Sequence, residues 1–216
     1  VMKAAGNDMA VVVKMNMRDG LKRPGTTIEE SIEIAKRLQQ LGTHAIVLSG
    51  GLVSATPMYV MRGEMPIHTM THYMDKAWLK YGVRACGKMM VPTVPYQEAF
   101  FLEDALRFRQ AMPDMKFIYV GGLVAGDKIN EVLSHGFEAV QMARSLLNEP
   151  DFVNRLKEDP HHRCGCRHSN YCIARMYSVD MACHQHLEEP LTPAIMREIE
   201  RIEKEQDTQK RWNLQS

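Results

Sequence analysis

The sequence has almost no charge imbalance: 27 Lys and Arg stand against 26 Asp and Glu, a formal net charge of +1. So neutral a chain offers no electrostatic case for nucleic acid or an anionic membrane surface. It also lacks any uncharged apolar run approaching the ~18–20 residues of a membrane span. The opening Val1-Met2-Lys3 leads towards a β-rich run with no basic-then-apolar segment of the signal-peptide type. A cytoplasmic protein is therefore expected. The Rossmann glycine pattern is missing as well. The first β-rich run continues Asn16-Met17-Arg18-Asp19 where a dinucleotide site would carry its glycines.

What is present reads as an ordinary globular domain. The 216 residues are 45% hydrophobic and 25% charged, enough to bury a real core. That composition excludes disorder, collagen and a coiled coil as the whole chain. The 17 Met are read as soft core filler. Cys is odd in number at five, and four of these fall between Cys164 and Cys183. This suits an intracellular thiol or metal cluster better than a secreted disulfide framework.

Short β-rich runs alternate with helical stretches. The first run, Ala10–Asn16, is nearly all apolar and β-branched, which predicts a strand buried on both faces. After a loop from Asp19 to Thr26, Thr27 and Glu30 stand at capping-box spacing. Ile34, Leu38 and Leu41 then give an inward stripe, and Gly42 a stop. A second strand is predicted over Ala45–Ser49, followed by Gly50-Gly51 and an excursion from Leu52 to about Pro95. That excursion holds an amphipathic stretch around Tyr73–Lys80 and a short apolar piece, Met89–Val91. A helix over Glu98–Ala111, a strand over Lys116–Val120, a helix over Asp127–His135 and a strand over Ala139–Met142 follow. Thr192-Pro193 starts a closing helix striped by Ile195, Ile199 and Ile202. Such alternation implies an α/β fold with a parallel sheet and right-handed crossovers, either doubly wound or a TIM barrel.

Three features carry chemistry. Gly121-Gly122 ends the third strand and Ala143-Arg144 ends the fourth. Glycine lets backbone N–H groups approach an anion, a helix starting near Asp127 would add its N-terminal dipole, and Arg144 would add a charged donor. Successive strand ends of this kind match the phosphate site of TIM barrels. Lys14 sits within a strand otherwise fit for burial. It either points into a barrel mouth to meet an anion or electron-rich ligand, or snorkels to the rim. Cys164, Cys166, Cys172 and Cys183, with His168, His184 and His186 among them, form a dense segment. It reads either as a zinc or iron–sulfur site or as free thiols in a compact loop.

These residues together resemble the Old Yellow Enzyme-like NAD(P)H:flavin oxidoreductases. The resemblance runs from Ala10 through Ser49-Gly50-Gly51, then VGGL and GFEAVQMARSLLNEPDF, to the segment Cys166, Asn170, Cys172, Met176-Tyr177 and Cys183. It implies an FMN-containing (β/α)8 TIM barrel. Such an enzyme takes hydride from NAD(P)H and delivers it to activated alkenes such as enones or dienoyl thioesters. It implies Lys14 near the flavin pyrimidine, Arg62-Gly63 in a loop approaching the flavin, and Gly121, Gly122, Ala143 and Arg144 at the FMN phosphate. It also aligns the cysteine segment with the region that holds a 4Fe-4S cluster in the dienoyl-CoA reductase branch. Ser169 stands where that branch has a cysteine, and a hydroxyl is a poor iron ligand.

The four strands correspond to the last four of such a barrel. On this resemblance residues 1–160 are its C-terminal half, 161–190 a Cys/His-rich loop segment, and 191–216 a helix and tail. The carbonyl-binding pair and the proton-donating Tyr belong to the half that is not here, so the catalytic residues are unknown. The isolated chain is then expected to bind FMN weakly or not at all and to show no turnover. The missing half would come from a partner polypeptide or a second copy, which makes an oligomer the expectation. The alternative is a non-enzymatic phosphate-, nucleotide- or metal-binding module.

Overall fold

The computed structural model describes residues 1–21, 25–176 and 178–213. Part of the Asp19–Thr26 loop, and Tyr177 of the Met176-Tyr177 motif, lie outside the described residues. The elements run α1 (Met2–Ala5), β1 (Val12–Asn16), α2 (Ile28–Gln40), β2 (Ala45–Ser49), α3 (Pro57–Met61), α4 (Ile67–His72) and α5 (Ala77–Met90). They continue with α6 (Leu102–Ala111), β3 (Phe117–Val120), α7 (Gly126–Ser134), β4 (Ala139–Gln141), α8 (Arg144–Asn148), α9 (Phe152–Glu158), α10 (Tyr171–Arg175) and α11 (Pro193–Asn213). Among these helices none is long and apolar enough to cross a membrane.

The four strands form one parallel sheet in the order β1-β2-β3-β4. Right-handed crossovers that always step the same way put every crossover helix on one side of the sheet. The core confirms this sidedness. Ile46, Leu48, Phe117 and Tyr119, each fully buried, pack with Ile28 and Ala35 of α2, Ala105 and Phe108 of α6, and Ile129 and Val132 of α7. The register places Val12, Lys14, Val47, Ile118, Val120, Ala139 and Gln141 on the opposite face. There Val12 is 47% exposed, Lys14, Ala139 and Gln141 are exposed, and Ile118 and Val120 are only half-buried.

The expectation that the first strand is buried on both faces is corrected accordingly. β1 is an edge strand, and among the described residues no layer covers its second face. Lys14 is exposed too, so no desolvation cost forces it to find a counter-charge. Its Nζ donates to Gln141 Oε1 at 3.3 Å, joining the first strand to the last. In a flat sheet those strands would stand ~14 Å apart, so the bond fits a sheet curled towards this face.

Local signals explain most of the helices. The Thr27 hydroxyl accepts from the Glu30 N–H at 3.2 Å and the Glu30 carboxylate accepts from the Thr27 N–H at 2.9 Å, the reciprocal cap expected for α2. Its inward stripe is rotated from expectation, however. Ile28, Ser31 and Ala35 are buried and Leu38 packs on the core, whereas Ile34 and Leu41 are half-exposed at 50% and 55%. Met89 and Met90, read as a separate apolar piece, are the exposed last turn of α5. At the C terminus Ile195, Ile199 and Ile202 are each at most 2% exposed. The Glu198 carboxylate fastens that helix to the body by accepting from the N–H groups of His68 and Thr69 at the start of α4 (2.9 and 2.8 Å).

The one-sided core makes a quantitative expectation. Leu48→Ala, on the helix-covered face, should cost about 2–5 kcal/mol. Val12→Thr, on the bare face, should stay within about 0.5 kcal/mol. Urea unfolding of the two variants checks the contrast, and equal losses would contradict the sidedness.

Candidate functional site

A cavity of about 210 Å³ opens at the C-terminal ends of the strands, on the bare side of the sheet. Lys14, Gly121, Gly122, Ala143 and Arg144 all line it, so five of the six sequence-predicted cofactor residues meet in one place. Ser49, Val120 and Gln141 contribute the strand ends, and Val60, Met61, Phe100 and Ile173 an apolar wall. Complete small-molecule pockets measure about 300–1,000 Å³, so this cavity is the size of part of one.

The sixth residue, Arg62, does not line the cavity but stands directly behind its wall. Its guanidinium lies over the rings of Phe100 (4.5 Å), Tyr59 (4.9 Å) and Phe101 (5.5 Å), and the first and last of these rings face the cavity. Arg62 Nε is buried without a hydrogen-bond partner, and burial lowers the pKa of the side chain.

The glycine turn is set by aromatic packing. Gly122 has φ of +67°, and a Cβ there would stand 2.7 Å from the Phe100 ring. The Tyr96 hydroxyl donates to the Gly122 carbonyl at 2.6 Å. The Tyr96 ring stacks on His168 at 3.6 Å and sits 5.8 Å beneath the Arg144 guanidinium. Burial pushes the Tyr96 hydroxyl pKa far up, so it stays protonated as a donor.

One predicted contribution is displaced. The start of α7 does not serve the cavity. The Glu98 carboxylate accepts from the N–H groups of Val124 and Ala125 at 2.9 Å each, and the Gly126 N–H goes to the His162 carbonyl at 2.9 Å. Arg163 in turn pairs with Glu98 at 3.1 Å. An internal carboxylate therefore already holds the helix terminus that sequence reading assigns to an anion.

The charges around the cavity lack the carboxylate partners that several other arginines have. Arg18, Arg107, Arg163 and Arg201 are each neutralised by a carboxylate: Asp104, Glu29, Glu98 and Glu64 respectively. Arg144 instead donates to the Asn170 amide oxygen at 2.7 Å, Lys14 to the Gln141 amide oxygen, and Arg62 faces rings. Among the described residues none of these three makes an ion pair. The cavity therefore keeps its positive charge, in a position where an anion would meet it.

The cysteine segment lies next door. Cys166, Cys172 and Cys183 line a small crevice of about 20 Å³ together with Arg144, Asn170 and His184. Cys164 turns away, its thiol donating to Asn148 Oδ1 at 3.3 Å and the Ser145 carbonyl at 3.5 Å. All are free thiols. Among the described residues no three His, Cys, Asp or Glu side chains are grouped to hold a metal ion. The predicted ligand set Cys164, Cys166, Cys172 and Cys183 is thus near-neighbour but not gathered.

The thiols also differ in electrostatics. Burial pushes Cys164 up to about 12 and Cys172 to about 11, and raises Cys166. Burial opposes the Cys183 thiolate too, but hydrogen bonds from His184 and Asn148 outweigh it and bring its pKa below the ordinary thiol value. Burial likewise disfavours the His184 imidazolium, yet its bonds to Cys183 and Glu203 raise it to about 9. Glu203 lies 3.3 Å from His184 Nε2. Sequence reading missed Glu98, Tyr96 and Glu203 as site residues, and it named Asn170 only as part of the cysteine motif. Each acts across a long loop, without a local spacing signal.

No protein-family model matches the chain. It is 38% identical over 176 residues to a protein of Rhodococcus erythropolis named 4,4'-dithiodibutanoate disulfide reductase. The match covers 81% of this chain and 43% of that protein, so the chain spans under half the length of the curated relative it matches. Among solved structures, a crystal form of N-acetylneuraminate lyase from Mycoplasma synoviae aligns with 93% of this chain and 74% of its own. At a TM-score of 0.22 and 14% identity, that likeness carries no argument about the fold.

The thiol electrostatics predict an order of reactivity. At pH 7.5 iodoacetamide should modify Cys183 about tenfold faster than Cys164, Cys166 or Cys172, because the thiolate is the nucleophile. His184→Gln should abolish that lead. With His184 protonated up to about pH 9, the lead should hold below that pH and fade as pH rises through it. Peptide mapping after timed alkylation reads all four rates.

Proposed function

We propose that this chain forms the phosphate and pyrimidine side of an FMN site in an NAD(P)H-dependent oxidoreductase. The carrying observation is the convergence of Lys14, Gly121, Gly122, Ala143 and Arg144 on one cavity that retains its positive charge. The donor set fits the group: a guanidinium beside a glycine turn for the phosphate, a second cation for the electron-rich pyrimidine, and apolar residues for the ring system. FMN, when bound, supplies two-electron hydride transfer between a nicotinamide and an acceptor.

The roles of the chain's own residues follow from their chemistry. Arg144 holds the phosphate through charge-assisted hydrogen bonds, and Gly122 lets the backbone approach it. Lys14 exchanges its bond to Gln141 for the pyrimidine edge, where its charge favours the reduced, anionic ring. Phe100, Met61 and Ile173 exclude water from one side. No proton donor or carbonyl anchor is assigned among these residues.

The acceptor we propose is electron-poor and small: an activated C=C bond of an enone or dienoyl thioester. A disulfide is a second two-electron acceptor of this kind, suggested by the name of the Rhodococcus protein. The remaining walls come from further barrel strands, in the same polypeptide or another copy. Two features support that completion: the bare sheet face and the two parallel edges, β1 and β4, that have no further strand beside them among the described residues.

Flavin titrations test this reading. The chain should bind FMN weakly but at least about tenfold more tightly than riboflavin, the gap corresponding to one or two charge-assisted bonds to phosphate. Arg144→Gln should close the gap without affecting riboflavin. A folded chain that binds both flavins equally, or whose preference for FMN survives Arg144→Gln, would overturn the proposal. Stoichiometric zinc without flavin would favour a metal-binding module instead.

A further inference from the structure

Asn170 joins Arg144, at the start of α8, to the Arg62–Glu64 loop between α3 and α4. It is 2% exposed, and it adopts the left-handed conformation with φ of +57°, which Asn tolerates better than most residues. Its amide is fully used. Oδ1 accepts from Arg144 Nη1 at 2.7 Å, and Nδ2 donates to the carbonyls of Arg62 (2.7 Å) and Glu64 (3.0 Å). This pattern fixes the amide's orientation. A flipped group would set an NH₂ against the guanidinium and a carbonyl against two carbonyls.

The loop it holds is closely packed at its glycine. Gly63, between the two bonded carbonyls, has φ of +81°, and a Cβ there would sit 3.0 Å from Asn170 Nδ2 and 3.0 Å from Gln206 Nε2. The same loop carries Arg62, whose guanidinium rests on Phe100, the ring that in turn abuts Gly122. One side chain thus sets the phosphate-side cation directly and reaches the glycine turn through Arg62 and Phe100.

We propose that Asn170 is a positioning residue for the anion grip. It aims Arg144 at the cavity and locks the Arg62–Glu64 loop, so that the order of the cysteine segment and the phosphate affinity of the cavity are coupled. The flavin part of this inference rests on the FMN reading. The aiming of Arg144 does not.

The variant of choice is Asn170→Gly, which keeps the left-handed backbone and removes only the amide. Two readouts are taken on the 216-residue chain, with folding verified by cooperative urea unfolding. In ¹⁵N-edited spectra the Arg144 guanidinium protons, slowed by the Asn170 bond in the parent, should become exchange-averaged in the variant. In titrations FMN affinity should fall about tenfold while riboflavin binding holds, and Asn170→Gly combined with Arg144→Gln should lose no more than either alone. An unchanged Arg144 signal overturns the proposal. So does an FMN loss that adds to that of Arg144→Gln or extends equally to riboflavin.

If the parent shows no preference for FMN over riboflavin, the FMN reading fails, and the Arg144 signal alone decides the positioning role. Asn170→Asp serves where the Gly variant does not fold. It retains the Arg144 contact but neutralises the cation and opposes two carbonyls, so the same selective loss of FMN is expected. Wild-type FMN affinity in that variant overturns the proposal.

Discussion

The direction of the crossovers is the constraint on which the rest of the structure depends. Because β1, β2, β3 and β4 follow one another in space as in sequence, the covering helices all fall on one side. The apolar surface of the other side is left without a layer of its own. That face is not uniformly wet. Ala45, Val47 and Ser49 of the central strand are at most 9% exposed, and it is at β1 and β4 that Val12, Lys14, Ala139 and Gln141 emerge. A sheet curled towards the bare face has this profile, sheltered along its middle and open at its rims. The cavity exists because of it, since the strand ends that line it, Ser49, Val120 and Gln141, all project from the concave side.

Segments remote in sequence then shape the cavity from outside. The stretch between β2 and α6 supplies Arg62 and Tyr96, and the cysteine segment supplies His168 and Asn170. Tyr96 links them, hydrogen-bonded to Gly122 and stacked on His168. The excursion from Leu52 to Pro95 is in this sense a buttress and not an insertion apart. α4, held by Glu198 at its start, carries α11 against the same body. What the four-stranded sheet leaves open at its strand ends, these loops partly close, and their hydrogen bonds fix where the cations point.

The strands and helix starts were legible in the sequence because each is a short-range signal. The run Ala45–Ser49 is observed at its predicted bounds, and the Thr27–Glu30 cap closes as its spacing implies. The convergence of Gly121-Gly122 with Ala143-Arg144 was legible too, since successive parallel strands must bring their C-terminal ends together. What failed was sidedness and long-range polar pairing. The apolar run at Val12 reads like any buried strand, because its composition does not show that its second face lacks a covering layer. Ile34 and Leu41 fit a helical period but not the face that α6 leaves for α2. The start of α7 looked available to an anion, yet Glu98, distant in sequence, occupies it. Asn170 was visible only as a member of the cysteine motif, and its role was not, as its three partners come from positions 62, 64 and 144.

Charge pairing connects this architecture to chemistry. Several guanidiniums here end on a carboxylate, as Arg201 does on Glu64 and Arg163 on Glu98, while Arg109 ends on the carbonyls of Pro113 and Met115 and Arg84 on the Thr71 hydroxyl. Around the cavity the partners are amides and rings, which orient a cation without neutralising it. Keeping Arg62 half-buried over three rings, with its Nε unpartnered, costs desolvation that cation–π contacts only partly return. Arg144, Lys14 and Arg62 together make the strand-end cavity an electropositive bowl, while a few residues away His184 and Glu203 tune a single thiol. The two environments meet at Arg144 and Asn170, which line the thiol crevice while Arg144 also faces the larger cavity. Asn170 of the cysteine segment is thus one hydrogen bond away from Arg144 at the cavity.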